Sequence, residues 1–361
     1  MNLRKIAFVL LLALPMLFLV ACGREVVEEP VLEPVETPTI TYEPEEEIEP
    51  EPEPWTGPRN PLTYLPVEED ISQNRPFAMV INNLQQALPQ HGLRYADMIY
   101  EVPVEGGITR LLAIFQDLEG VGEIGPIRSA REYMLDISQG HDALFVHAGG
   151  SPGAYNAIRG RGIPNIDGVM GTGREFQRDA ERSRRFGQEH ALFTTEELIL
   201  NNIDSFHFRR EHNDDFSTGL QFAENAIPEN GVEAQHVSVF FSNHKTGIFV
   251  FDEEQGTYAV SQYGNPHIDG ITGEQLQVTN VLVLFASFRS IDNEGRLAVD
   301  FSTGGRGYYI TGGVKVPILW EKPAHTAAFT YTLEDGTALV LNMGRTWVNI
   351  VNSNTGNVTL G

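Results

Sequence analysis

The hydrophobic positions of this chain form short runs separated by turn residues, and the spacing of the runs changes along the sequence. Four runs in the first part are bounded by Gly, Pro or Asp and predict strands: PFAMVIN (76–82), DMIYEV (97–102), ITRLLAIF (108–115) and DALFVHA (142–148). Apolar residues at helical spacing predict a helix over Ser129 to Ser138. A capping box at 194–197 predicts another, ending near Asp204. Residues 71–215 are therefore expected to form an α+β or α/β domain.

The second part of the chain has a different pattern of many short apolar runs separated by Gly, Asp and Asn. Examples are VSVFFSN, GIFVFD, NVLVLFAS and TWVNIV. This pattern predicts a mostly antiparallel all-β domain, a sandwich or a barrel, over residues 235–353. A linker is expected at 216–234 and a tail at 354–361. Trp320 and Trp347 are expected to pack its core, with a sugar-binding platform as the alternative.

The N-terminus has the three parts of an export signal. Arg4 and Lys5 precede an apolar run from Ile6 to Val20, which is too short to span a bilayer comfortably. The run ends in Leu-Val-Ala-Cys, which matches the lipobox of bacterial lipoproteins. We expect residues 1–21 to be a signal peptide and Cys22 to carry lipid. The lipid would hold the protein on the outer face of the cytoplasmic membrane.

Composition adds three constraints. Cys22 is the single cysteine of 361 residues, so no disulfide can form within one chain. Residues 22–70 are rich in Glu and Pro, which favours an extended stalk rather than a packed core. The whole chain has a net charge of −24, which argues against nucleic acid as a partner.

Several longer motifs carry a resemblance to a known family. They include RPFAMVINN (75–83), GPIRSAR (125–131), VHAGGSPGAY (146–155), GNPHIDGITGE (264–274) and GRTWVNIV (344–351). In this order, with a lipobox in front, they resemble the YerB-like lipoproteins. The resemblance implies a two-domain envelope lipoprotein of unassigned biochemical activity. The chain departs from the family pattern at Glu189 and Ala191, where relatives tend to have Pro and Asn.

Arginine is the most suggestive residue type in the first domain. The chain has 21 Arg and 4 Lys, and Arg110, Arg128 and Arg131 fall within its motif-rich part. The guanidinium fork suits phosphate and carboxylate groups, which predicts an anion site. The alternative is internal ion pairing with Glu101 or Glu105. A further set of arginines, 174, 178 and 182, would share one face if that segment were helical.

The turn Gly149-Gly150-Ser151-Pro152-Gly153 matches the G-x-S-x-G pattern of a hydrolase nucleophile. Pro152 argues against that role, because the oxyanion hole needs an N–H at this position and proline has none. Ser151 as a helix N-cap with Pro152 at the first helical position fits better. The backbone of Gly149, Gly150 and Ser151 could also contribute to the anion site.

The sequence leaves three functions open. The leading prediction is a non-catalytic lipoprotein that binds an anionic envelope ligand or a partner protein. The second is a hydrolase or transferase for phosphorylated cell-wall or lipid-linked material, with Glu101, Glu105, His147 and His190 as acid–base candidates. The third is a structural adaptor in an envelope complex. The His residues lack metal-site spacing, so neither a metal nor a cofactor is expected.

Overall fold

The first residues of the fold belong to the segment predicted as stalk. A computed structural model describes residues 55–171 and 173–361, so Cys22, the signal peptide and the most acidic stretch lie outside the described residues. Leu62 and Thr63 are buried, and Gly344 N–H donates to Thr63 O at 2.8 Å. The predicted stalk boundary at residue 70 is therefore wrong, because this segment packs against the rest of the fold.

The described residues form short helices and many strands. The α-helices are α1 Glu132–Gly140, α2 Pro152–Arg161, α3 Ala180–Phe186 and α4 Glu196–Ile203; short 3-10 helices lie at Gln85–Ala87, Leu93–Tyr95, Glu105–Gly107, Gln188–His190 and Asp204–Phe206. The strands of the N-terminal segment are β1 Phe77–Asn82, β2 Met98–Pro103, β3 Thr109–Phe115, β4 Glu123–Ile124, β5 Leu144–His147, β6 Asn165–Asp167, β7 Gln177–Arg178 and β8 Leu192–Thr195. Those that follow are β9 Gln221–Ala223, β10 Val232–Glu233, β11 His236–Ser242, β12 Lys245–Asp252, β13 Thr257–Gln262, β14 Asn265–Pro266, β15 Gln277–Val278, β16 Asn280–Ser290, β17 Leu297–Asp300, β18 Gly305–Thr311, β19 Val314–Glu321, β20 Thr330–Leu333, β21 Val340–Asn342, β22 Thr346–Asn352 and β23 Asn357–Leu360.

One sheet of 12 strands runs through both segments. Its order is β10-β19-β18-β16-β22-β2-β3-β1-β5-β6, with β17 and β20 paired at its side. Strand β22 lies between β16 and β2 and runs parallel to both. The two predicted segments therefore share a sheet, joined by a strand from near the C-terminus. A second sheet of six strands contains β14-β13-β12-β11-β23 and β15.

Hydrophobic side chains cover both faces of the large sheet. Along β2, Tyr100 contributes to one buried cluster and Ile99 to the other, as the alternation of a strand requires. Trp320 belongs to the first cluster and Trp347 to the second, and each is 1% exposed. Burial on both faces explains why these strands read as continuous apolar runs. The prediction that both tryptophans pack a core is confirmed.

The structure confirms that the second segment is mostly antiparallel β. It corrects the helix predictions that were made for the first segment. Helix α1 begins at Glu132 rather than Ser129, because Ala130 forms a bridge with Gly150 in extended conformation. Thr195, not Thr194, caps α4 by accepting from Leu198 N–H. Arg178 lies in a strand and Arg182 in a helix, so the predicted arginine face at 174, 178 and 182 is wrong.

Candidate functional site

The candidate site lies where the segment before α1 crosses the ends of two strands. Arg128 N–H donates to Val80 O of β1 at 2.7 Å, and Ala148 N–H after β5 donates to Arg128 O at 3.0 Å. These bonds hold the segment between β1 and β5. Arg110, at the start of β3, pairs in register with Asn82 at the end of β1. The fold thus brings together the three arginines that the sequence singled out.

Arg131 is the member of this cluster that forms an internal ion pair. Its Nε atom lies 2.9 Å from Glu105 Oε2, and its Nη2 atom contacts Glu105 Oε1. The side chain of Arg131 is 8% exposed and that of Glu105 is 29% exposed. Burial alone would raise the pKa of Glu105, but hydrogen bonds and charge from Arg131 lower it overall. The predicted pairing with Glu105 therefore exists at Arg131.

Arg110 is buried but lacks such a partner. It is 6% exposed, and Nη1 donates to Ser129 O at 2.5 Å. Among the described residues, no carboxylate oxygen lies within 4.0 Å of its guanidinium. Burial and the charge of Arg131 lower the pKa of Arg110 to about 9, so it stays protonated at neutral pH.

Arg128 is half-buried and forms no side-chain hydrogen bond to any described residue. Burial lowers the pKa of Arg128, while the carboxylate of Glu189 acts in the opposite direction. Glu189 itself is exposed. Arg110 and Arg128 therefore leave a positive charge that the surrounding protein compensates only in part.

The Gly-Gly-Ser turn lies next to this cluster but already uses two of its three backbone N–H donors. Gly149 N–H donates to Asp167 Oδ1 at 2.8 Å, and Ser151 N–H donates to Ala130 O at 3.1 Å. These bonds occupy the N–H groups of Gly149 and Ser151, so neither group is available to a bound anion. Ser151 Oγ accepts from Ala154 N–H at 3.1 Å, and α2 starts with Pro152. Ser151 is thus an N-cap.

The two histidine candidates have different surroundings. His147 is fully buried, and its ring nitrogens lie 2.7 Å from Gly149 O and 3.2 Å from Asn165 Oδ1. This position holds the turn and leaves no ring nitrogen for a substrate. His190 lies at the edge of the arginine cluster, with Asn82 Nδ2 donating to its Nδ1 at 3.0 Å. Burial lowers the pKa of His190, and the charge of Arg128 acts in the same direction.

Glu101 belongs to a separate buried network that the sequence did not predict. Its Oε1 atom lies 3.0 Å from Lys245 Nζ and accepts from Thr109 Oγ1 at 2.7 Å and from Asn83 Nδ2 at 3.1 Å. Gln262 continues the network behind Lys245. The one available signal was Lys245 itself, the first lysine after Lys5 in a chain with few lysines.

Two further observations concern the described ranges, 55–171 and 173–361. They contain no group of three or more His, Cys, Asp or Glu side chains arranged to hold a metal ion. None of their helices is both long and apolar enough to cross a membrane.

Comparisons with known proteins match both segments. Residues 62–209 match the N-terminal domain, and residues 237–348 the C-terminal domain, of the family described as "Protein of unknown function (DUF3048)". YerB of Bacillus subtilis (strain 168), whose name describes it as a lipoprotein, is 32% identical over 295 residues, 81% of this chain and 85% of its own. A crystal structure of the Bacillus subtilis YerB protein superposes with a TM-score of 0.73 at 28% identity. It covers 83% of this chain and 99% of its own.

Both domains of the family match this chain, and a relative is named as a lipoprotein. These findings support the assignment of this protein to the extracytoplasmic lipoproteins. Within that class, the chain belongs to the YerB-like family.

Proposed function

We propose that this chain is a non-catalytic lipoprotein of the bacterial cell envelope that binds an anionic envelope ligand through Arg110, Arg128 and Arg131. Lipid on Cys22, after removal of the signal peptide, anchors it to the outer face of the cytoplasmic membrane. The N-terminal segment serves as an α+β binding domain. The β-rich segment supports it through the shared sheet.

The state of Arg110 carries this proposal. A buried guanidinium normally has a carboxylate partner, because an unpaired buried charge is costly. Among the described residues, the Arg110 side chain donates to one acceptor, the carbonyl of Ser129. The charges of Arg131 and Arg128 lower its pKa, and the charge of Glu105 acts in the opposite direction. A bound phosphate or carboxylate would supply the missing negative charge and the acceptors for the remaining N–H donors.

The contacts of the acid–base candidates favour binding over catalysis. Glu101 is 1% exposed and accepts three hydrogen bonds at one oxygen. His147 holds the turn before α2, and Ser151 caps that helix. Glu105 is engaged by Arg131. His190 lies near Arg128, where it can donate or accept a hydrogen bond to a ligand.

Thermal melting with and without pyrophosphate or sulfate, at fixed ionic strength, tests this proposal. Wild-type protein should gain stability from pyrophosphate, and Arg128→Lys should lose most of that gain because an ammonium lacks the planar fork. Arg159→Lys is the matched control, since Arg159 is exposed on α2 and, within the described part of the chain, its side chain bonds only Asn156. A wild type indifferent to both anions, together with an unchanged Arg128→Lys, would refute the anion site.

A further inference from the structure

The network around Glu101 joins the two segments of the chain in the interior of the fold. Lys245 stands at the start of β12 in the six-stranded sheet, and Glu101 lies in β2 of the large sheet. Their side chains are each 1% exposed, and Lys245 Nζ lies 3.0 Å from Glu101 Oε1. A lysine is rarely buried so completely, even when it is paired with a carboxylate.

A third side chain, Asn83, converges on the same carboxylate oxygen. Asn83 is fully buried just after β1, and its Nδ2 lies 3.1 Å from Glu101 Oε1. Glu101 Oε1 therefore stands within hydrogen-bond distance of both the lysine nitrogen and the amide nitrogen. On the other side of the amide, Gln90 Nε2 donates to Asn83 Oδ1 at 3.0 Å.

We propose that Lys245 and Asn83 react with each other to form an intramolecular amide bond, with Glu101 carrying the proton between their nitrogens. The site requires a nucleophilic amine, a carboxamide as acyl donor and a carboxyl group in contact with both. These three groups meet here. The bond would link the N-terminal segment to the C-terminal segment covalently.

The reaction balances without any co-reactant. Lys245 first gives one proton to the Glu101 carboxylate, which produces a neutral amine and a carboxylic acid. The lone pair of Nζ then forms a bond to Asn83 Cγ, and the Cγ–Nδ2 bond breaks. One further Nζ proton moves through Glu101 to Nδ2, so ammonia leaves and Glu101 stays protonated. The product is a secondary amide between Nζ and Cγ.

The surroundings favour each part of this step. Burial lowers the pKa of Lys245, which favours the neutral, nucleophilic amine. The hydrogen bond from Gln90 polarises the Asn83 carbonyl and would stabilise the negative charge that develops on its oxygen. Tyr263 covers the site, with its ring centroid 5.2 Å from Lys245 Nζ and its hydroxyl donating to Asn83 O at 2.7 Å. Water, the competing nucleophile, is thereby excluded.

Such a bond would give the chain an internal covalent cross-link, which its single cysteine cannot provide. A protein exported with a single cysteine has no internal disulfide. A cross-link between β1 and β12 closes a long loop of the chain and would restrict the unfolded state as a disulfide does.

Mass spectrometry of the intact, purified wild-type protein tests whether the amide bond between Lys245 and Asn83 forms. We expect a mass lower by one ammonia molecule than that of the mature chain, which starts at Cys22 and carries its lipid. We also expect a branched tryptic peptide that joins the segment with Asn83 to the segment with Lys245. The full mass of that mature chain, with no branched peptide, would overturn the proposal. So would ammonia loss confined to one linear peptide, which indicates cyclisation of an asparagine, or water loss, which indicates an amide to Glu101.

Two variants complete the test. Lys245→Arg should restore the full mass, since a guanidinium is a poor nucleophile, whereas the matched Lys315→Arg should keep the ammonia deficit. Glu101→Gln should slow or abolish the bond because it removes the proton carrier. If Lys245→Arg does not fold, the wild-type peptide map remains decisive, because it requires no variant. This test does not depend on whether Arg110 binds an anion.

Discussion

Arg131 engages Glu105 through two N–H groups, with Nε 2.9 Å from Oε2 and Nη2 in contact with Oε1. This fork-shaped contact neutralises one of three clustered arginines. The neighbouring Arg110 and Arg128 have no comparable contact with a carboxylate in the described part of the chain. A set of internal ion pairs would have a carboxylate for each arginine. Here one carboxylate contacts one of three arginines, which is the arrangement that favours an anion site.

Truncation of Arg131 should destabilise the fold. We expect Arg131→Ala to cost roughly 3 kcal/mol, the low end for a buried pair, because Glu105 is left without its partner near the interior. Urea denaturation measures the loss. The control is Arg185→Ala, whose pair with Glu181 is 63% and 70% exposed and should contribute well under about 1 kcal/mol. Equal costs for the two variants would contradict this account of the pair.

Ser151 should matter for helix stability and not for chemistry. We expect Ser151→Ala to lower the free energy of unfolding by about 1 kcal/mol, the usual effect of losing an N-cap. Ser353→Ala, at an exposed position, is the control and should have little effect. A Ser151→Ala variant as stable as wild type would show that the contact with Ala154 N–H contributes nothing.

The packed part of the predicted stalk should contribute to stability. Leu62 is 0% exposed and belongs to a main hydrophobic cluster, so Leu62→Ala should cost about 2–5 kcal/mol. A chain starting at Trp55 should melt at nearly the temperature of the mature protein. One starting at Arg75 should melt well below it, because it lacks Leu62. Equal melting of the two shortened chains would refute this prediction.

Asp142 should make stability depend on acid pH. Burial alone would raise the pKa of Asp142, but hydrogen bonds from His212 and Arg209 and the charge of Arg75 lower it from 3.8 to about 2. A carboxylate with a lowered pKa stabilises the fold above its unfolded pKa. That contribution is lost as pH falls from 3.8 to about 2.

Thermal melting across this range tests the contribution of Asp142. Asp142→Asn should be less stable than wild type at neutral pH, and the difference should shrink as the pH falls toward 2. Asp214→Asn, at an exposed position, should follow the wild-type curve. A difference that stays constant with pH would exclude a role for the charge of Asp142.

The apolar runs of the sequence predicted most of the strands because burial on one or both faces leaves a local pattern. The runs at 76–82, 108–115 and 142–148 became β1, β3 and β5. Helix starts were less well predicted. Thr194 and Thr195 offer the same hydroxyl, and only the backbone path selects the one that caps α4. The segment before α1 is held extended by residues distant in sequence, because Arg128 bonds to Val80 and Ala148 and Ala130 forms a bridge with Gly150.

By itself, the sequence determined the positions of most strands, the mostly β second segment, the cap at Ser151 and the set of arginines worth considering. These features depend on neighbours a few residues away, so a linear pattern records them. Only the tertiary structure decided that β22 joins two segments in one sheet, that Glu105 forms its ion pair with Arg131, and that Lys245 and Asn83 both contact Glu101. Such contacts join residues far apart in the chain, and their energies depend on burial, which no local spacing specifies.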